Sequence, residues 1–303
     1  MDRRFGVLLL AICWFAWGLS YPVTRIVLES LDPWTSRAFV MLAAGGLLLG
    51  LAKLQGHSLR VPRHQWRDLV IAAACNMSIF QVGMTFGVLL LSAGRTAVIV
   101  YTMPLWAAIL AVPLLGERVS LRQVAALALG LIGLAVLMNQ DLAHLRNAPL
   151  GAACTLIASI AFGLGTVWLK RHVWGANPTV IAGWQVLIGS LPVLVIWLAI
   201  APPLDPAAIS GDAWLALLYL VVIANALAYF AWFRAVAVFP AVVSGIGAMA
   251  VPVVGVFSSA LMVDERIGWP ELAALALIIG ALAINLFGNR PQAKPSVSDT
   301  DGV

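Results

Sequence analysis

The chain has 303 residues, of which 62% are hydrophobic and only 10% charged. Soluble domains carry about 25% charged residues, so a water-soluble globule is excluded and an integral membrane protein is expected. The net charge of +5 is no sign of nucleic-acid binding, because the basic residues sit between apolar runs, where membrane topology accounts for them.

A helix crosses the hydrocarbon core with about 20 mostly apolar residues. Ten segments qualify: 5–28, 33–54, 66–91, 94–115, 121–139, 149–170, 178–200, 213–237, 241–263 and 270–288. Met1-Asp2-Arg3-Arg4 before the first run imitates a secretory signal. That run is too long and lacks a clear small-residue cleavage site, so a retained first span is expected. Asp32-Pro33 and Asn177-Pro178 each read as an N-cap followed by proline at the first helical position. Gly46 and Gly50 make a pair four residues apart that predicts helix packing, and Ser244-Gly245-Ile246-Gly247 predicts a close helix approach. Ser120 to Gln123 reads as a capping box opening the fifth span. The cysteines, Cys13, Cys75 and Cys154, all lie inside apolar runs, so neither a disulfide nor a metal site is expected. From Asn289 the chain turns polar, and a disordered tail over 290–303 is expected.

The second half repeats the first. Pro104, Glu117-Arg118 and Ala125 to Leu129 recur at an offset of 148 as Pro252, Glu265-Arg266 and Ala273 to Leu277. Earlier in each half the offset is 145, pairing Gly6 with Gly151, Gly18 with Gly163 and Asp32-Pro33 with Asn177-Pro178. Two units follow, 1–146 and 147–289, each with five spans. Lys and Arg concentrate on the side that holds Arg3, Arg4, Lys53, Arg60, Arg63, Arg67, Arg118, Arg122, Lys170, Arg171, Arg290 and Lys294. That side is assigned to the cytoplasm, with both termini. An odd number of spans makes the second unit enter from the opposite side. The expected fold is therefore all-α and integral to the membrane, with ten transmembrane helices as two inverted five-helix repeats around a central cavity. Such symmetry marks secondary transporters whose site lies at the repeat interface.

Leu115-Gly116-Glu117-Arg118-Val119-Ser120-Leu121-Arg122-Gln123 leads to Gly130-Leu131-Ile132-Gly133, and a weaker copy, Val263-Asp264-Glu265-Arg266-Ile267-Gly268, leads to Gly280. Together with Trp17-Gly18-Leu19-Ser20 and with Arg37 shortly after Pro33, these residues resemble the drug/metabolite transporter superfamily and its EamA-type exporters. The resemblance covers residues 5–288, and YddG-like amino-acid exporters are the nearest type. Ala182 stands at the equivalent of Arg37, and Asp264 at the equivalent of Gly116. The resemblance implies a basket of helices. In it the first, third and fourth helices of each repeat contribute to the cavity, and the fifth packs outside.

Candidate substrate-binding residues follow from depth, helical face and symmetry. Met77, Gln81 and Met84 share one face of the third span, and their mates are Asn225, Tyr229 and Trp232 in the eighth. These polar faces suit a wet cavity, although an interhelical hydrogen bond is the alternative. Trp17 and Tyr21, with mates Phe162 and Thr166, form a stripe that either lines the cavity or packs. Tyr101 and its mate Met249 precede Pro104 and Pro252, where a kink with a gating use is expected. Glu117 and Glu265 either tie helix turns to neighbouring helix ends or couple transport to protons. Arg37 either snorkels to the membrane edge or attracts a carboxylate. Acids are missing from mid-span, and His57, His64, His144 and His172 all fall in loops, so no catalytic site, metal or cofactor is expected. The expected partners are the lipid bilayer and a small solute, with no nucleic acid, and the chain is compatible with a monomer. The favoured reading is an inner-membrane exporter of amino acids or similar small neutral or zwitterionic metabolites, working by alternating access. A multidrug or toxic-metabolite exporter is the alternative, and a non-transporting assembly protein a more distant one.

Overall fold

The computed structural model describes residues 3–91, 96, 99–137, 148–263 and 268–287. Every regular element among them is helical. Helix α1 runs Arg3–Gly18 and resumes after Leu19 as Ser20–Leu28, and α2 is Pro33–Leu54. Helix α3 is Trp66–Ala73, a π-helical segment Ala74–Ile79, then Phe80–Leu90. There follow α4 (Met103–Leu115), α5 (Leu121–Leu137), α6 (Pro149–Arg171) and α7 (Pro178–Ile200). Helix α8 is Gly211–Tyr219, a second π-helical segment Leu220–Leu227, then Ala228–Val238. Helix α9 is Ala241–Ala248 and, after Met249, Ala250–Val263, and α10 is Trp269–Phe287.

Seven of these, α1, α2, α3, α6, α7, α8 and α9, are long and apolar enough to cross a membrane. The apolar stretches in α4, α5 and α10 are shorter: Met103–Leu115, Leu121–Val136 and Leu272–Asn285. The expected fourth span begins at 94, in a stretch partly outside the described residues; Thr96, Ile99 and Val100 are helical, and after a turn at 101–102 helix α4 runs from Met103. Arg95, Arg146, Asp264, Glu265, Arg266 and the tail also lie outside the described residues.

The helix starts follow the sequence signals. The Asp32 carboxylate accepts from the Trp34 and Thr35 amides at 2.9 and 3.2 Å, and the Asn177 side chain accepts from the Thr179 amide at 2.9 Å. Ser120 N–H donates to Gln123 Oε1 at 2.8 Å while Gln123 N–H donates to Ser120 Oγ at 3.3 Å, a closed capping box. Helix α4 ends on Gly116 in the left-handed region, at φ 66°, where glycine carries no Cβ penalty.

The packing maps onto itself when α1 is exchanged with α6, α2 with α7, α3 with α8, α4 with α9 and α5 with α10. Helix α1 packs on α8 and α9, and α6 packs on α3 and α4. Helix α7 packs on α3, and α2 on the π segment of α8. The pairs α2–α7, α4–α9 and α5–α10 are their own images. The correspondence reaches single atoms. A Cβ on Gly163 would stand 2.9 Å from the Ala107 amide nitrogen, and one on Gly18 would stand 3.1 Å from the Gly255 amide nitrogen, the mate of Ala107. Because backbone lies opposite, neither contact can yield by a rotamer change. Gly163→Ala is expected to cost about 1–3 kcal/mol through overpacking, read as a lowered thermal midpoint in detergent.

One packing expectation fails. Gly46 and Gly50 face open space, with nothing within 4 Å of a built Cβ. Gly45 is the residue that lets α2 approach α7, its Cβ position lying 2.7 Å from Leu187. The four-residue spacing marked a small face but not which side of α2 carries it. The Gly245 and Gly247 expectation holds: their Cβ positions are 3.1 Å from Pro104 Cα and 2.9 Å from Leu10 Cδ1.

Candidate functional site

Where α1, α3, α6 and α8 converge, aromatic rings fill the space. The Trp17 ring lies 5.7 Å from both Tyr229, edge-on, and Trp232. Trp232 lies 5.8 Å from Phe162, and Phe162 lies 4.7 Å from Phe80. Trp17 is fixed by its indole N–H, which donates to the Ala224 carbonyl at 2.9 Å. That carbonyl belongs to the π segment of α8, where the widened turn frees backbone groups from the regular ladder. The Trp232 indole N–H is buried and has no partner. A small space bounded by Met103, Phe162, Thr166, Trp232 and Gly245 is too tight to hold a water molecule. Tyr21 and Tyr101 share a hydroxyl–hydroxyl bond of 2.9 Å between α1 and the turn before α4.

The structure thus brings Trp17, Phe162, Tyr229 and Trp232 into one cluster, and pairs Tyr21 with Tyr101. Gln81 is buried, its Oε1 accepting from Arg37 Nη1 at 2.5 Å. Arg37 also acts electrostatically on Tyr229, which links the polar pair to the ring cluster. Other expected residues stand apart. Met77 is fully buried against α7, where a Cβ on Gly189 would meet its own Cβ at 2.0 Å. Asn225 donates from Nδ2 to the Leu220 carbonyl five residues back, inside the π segment. Met249 is fully buried, its sulfur 2.4 Å from a Cβ on Gly130 of α5. Met84 is half-buried. Pro104 sits in the first turn of α4, where a missing N–H costs nothing, and Pro252 lies three residues after the break at Met249.

Sequence reasoning missed Phe80. It also missed two buried polar pairs: Asn76 Nδ2 donating to Gln185 Oε1 at 3.2 Å, and Thr102 with Ser159 at 2.9 Å. Polar residues inside apolar spans were the available signal, but sequence spacing does not say which helices meet.

The two ends of this site differ. At one end, His172 Nε2 lies 3.4 Å from the Asp68 carboxylate, and His172 Nδ1 lies 3.0 Å from the Trp168 carbonyl. Gln65 donates to the Val173 carbonyl at 3.0 Å and accepts from the Gly175 amide at 2.9 Å. Nearby, Lys170 Nζ donates to the Val236 and Phe239 carbonyls at 3.3 and 2.5 Å, closing the end of α8. Glu117 Oε1 accepts from the Ala241 amide at 3.1 Å, capping α9. Helices α3, α6, α8 and α9 and the α4–α5 turn are tied together here. At the other end, the last turns of α1 pack on the first of α8 with Val27 and Ala216 buried, and a surface cleft of about 470 Å³ lies beside them. It is lined by Val23, Ile26, Glu29, Asp212, Ala216 and Tyr219, among others. The mates of His172 and Asp68 are Val27 and Ala216, so the polar seal of the first end has no counterpart at the second.

This architecture has relatives. A solved crystal structure matches 93% of the chain, and 96% of its own, with a TM-score of 0.82 at 19% identity, a likeness of fold. Protein PecM of Dickeya dadantii is 29% identical, with 92% of this chain and 93% of that one covered. A probable amino-acid metabolite efflux pump of Escherichia coli is 27% identical over 96% of this chain and 97% of its own. An uncharacterized inner membrane transporter of the same species, YedA, is 29% identical over 93% and 92%. The model of the EamA-like transporter family matches residues 4–139 and again 149–287. With nearly the whole chain matched, the protein belongs to the EamA-like transporter family, and is a transporter and not an enzyme.

Proposed function

We propose that the protein is a secondary transporter of the bacterial inner membrane that exports amino acids or similar small neutral or zwitterionic metabolites by alternating access. On this reading, residues 1–146 and 147–289 are inverted five-span repeats and both termini are cytoplasmic. The observation that carries it is the contrast between symmetric packing and asymmetric ends. Helix contacts survive exchange of the two halves, yet the Asp68–His172 end is held by polar side chains while its mates, Val27 and Ala216, are apolar and buried. Two halves related in this way can exchange conformations, which moves the opening from one side of a fixed site to the other. On this reading the Asp68–His172 end faces the cytoplasm. The aromatic cluster between the ends suits an apolar or aromatic side chain. The efflux-pump name of one relative supports amino-acid metabolites as the cargo.

Counterflow in proteoliposomes tests the activity. Saturable exchange of several neutral amino acids is expected, with none of sugar phosphates or nucleotides, because the site lacks the clustered cations that such anions need. Nucleotide-sugar flux without amino-acid flux would sink the reading. The topology is tested separately by reporter fusions. Those after Arg60 should report cytoplasm and those near Ala207 the outside, and a cytoplasmic signal at Ala207 would contradict inverted repeats.

A further inference from the structure

Among the described residues, one cation reaches into the polar part of the site. Arg37 stands one turn inside α2, half-buried, with its side chain extended to Gln81 of α3. A guanidinium carries five N–H donors and is always charged. Among the described residues, Gln81 Oε1 is the acceptor that Arg37 meets, the Tyr229 phenol lies within electrostatic range, and no carboxylate pairs with it. The described acids, Glu29, Asp32, Asp68, Glu117, Asp205, Asp212 and Glu271, stand at helix ends, in first turns or in connections. Asp32, on the same helix, is committed to the Trp34 and Thr35 amides and to the Thr35 hydroxyl. The repeat offers no second cation, since the mate of Arg37 is Ala182, fully buried. An ionised side chain within a membrane span is costly unless it is paired, and its pairing partner marks a solute pathway.

We infer that Arg37 anchors a carboxylate on the transported solute. The inference rests on the transporter reading of the same site and names the chemical class within it. The planar guanidinium matches the two oxygens of a carboxylate in a bidentate contact, and the solute then supplies the missing negative charge. Gln81 holds the fork in place from one side. The Trp17–Tyr229 edge contact places an aromatic wall next to it, so the body of the solute lies on the rings while its head lies on the cation. A single guanidinium neutralises a monoanion and leaves a phosphate monoester half-compensated. The described residues at this site include no acid to receive an ammonium group. The carboxylate is therefore the discriminating feature, and the amino group of an amino acid is tolerated without being required.

The test uses phenylalanine, phenylalaninamide and 3-phenylpropanoate, which share a ring and differ in head group. Purified wild-type protein should be thermally stabilised by phenylalanine and 3-phenylpropanoate, and at least tenfold less effectively by phenylalaninamide. In counterflow of labelled phenylalanine, 3-phenylpropanoate should compete and the amide should not. Arg37→Gln should raise the half-saturating concentration of phenylalanine at least tenfold and erase the preference between acid and amide. Arg37→Lys keeps the charge without the fork and should fall between. Equal response of wild-type protein to amide and acid overturns the carboxylate anchor, as does stabilisation by none of the three. Carboxylate-dependent binding with no counterflow of any amino acid would support the anchor and refute the exporter reading instead. The wild-type comparison stands whether or not the Arg37 variants fold.

Discussion

Alanine at Trp17 is expected to destabilise the protein by at most about 3–5 kcal/mol, the range for a fully buried aromatic, since Trp17 is partly buried, and to abolish counterflow in whatever fraction folds. Three contacts disappear together: the edge contact with Tyr229, the tilted contact with Trp232 and the hydrogen bond to the Ala224 carbonyl. The last matters beyond its own energy. Ala224 lies in the π segment of α8, and an acceptor left without its donor in an apolar surrounding costs about 1–3 kcal/mol. Trp17→Phe separates the contributions, since it keeps a ring against Tyr229 and Trp232 but has no N–H. If stability is lost through the ring alone, phenylalanine should restore most of the midpoint. If the Ala224 carbonyl needs its donor, phenylalanine should recover the ring packing yet stay about 1–3 kcal/mol below wild type. Wild-type midpoints for both variants would show that Trp17 is not the hub of the cluster.

The helix order, the caps and the duplication are legible in the sequence because each depends on residues close in the chain or on a fixed offset. The site is legible in part. Gln81, Tyr229 and Trp232 were reached by adding fours and threes along α3 and α8, and those residues do meet Arg37, Trp17 and Phe162. The same arithmetic misplaces Met77 and Asn225, and the reason is physical. Both lie in the π segments, Ala74–Ile79 and Leu220–Leu227. There the turn is wider than an α-turn, so a stripe drawn at α-helical spacing slips around the helix. Met77 is thereby turned toward Gly189 of α7, and the Asn225 amide is used by its own helix. Nothing in residue identity announces a π segment. For Arg37 the sequence leaves two readings, snorkelling to the membrane edge or attracting a carboxylate, because Cα depth can be read from a sequence while the reach of a long side chain cannot. Asp68 and His172 carried no signal, since each is an ordinary residue at a helix end until the fold sets them 3.4 Å apart.

That pair should set which side of the transporter is open. In the structure His172 faces an acceptor with each ring nitrogen, the Trp168 carbonyl at Nδ1 and the Asp68 carboxylate at Nε2. The first contact fixes the ring on its own helix and the second joins the end of α6 to the start of α3. The other charged groups nearby are Arg171, 5.6 Å over the Trp168 ring, and the exposed Arg63, His64 and Arg67 on the same end of α3. Removing the pair should weaken closure at this end. The pair is partly solvent-exposed, at 27% for His172 and 24% for Asp68, so its contribution is about 1 kcal/mol or less. That corresponds to roughly a fivefold change in the ratio of closed to open molecules. Asp68→Asn with His172→Gln should produce that shift while leaving the aromatic cluster intact. Hydrogen exchange over 62–71 and 168–175, compared at one pH, reads the seal directly, with faster exchange expected in the double variant than in the wild type. Counterflow reads its consequence, because a cycle that must close at this end slows when closure is weakened. Unchanged exchange in the double variant would mean that the Asp68–His172 pair does not hold the seal. The contacts of Lys170 with the Val236 and Phe239 carbonyls, and of Glu117 with the Ala241 amide, would then hold this end shut, and Lys170→Met would be the variant that opens it.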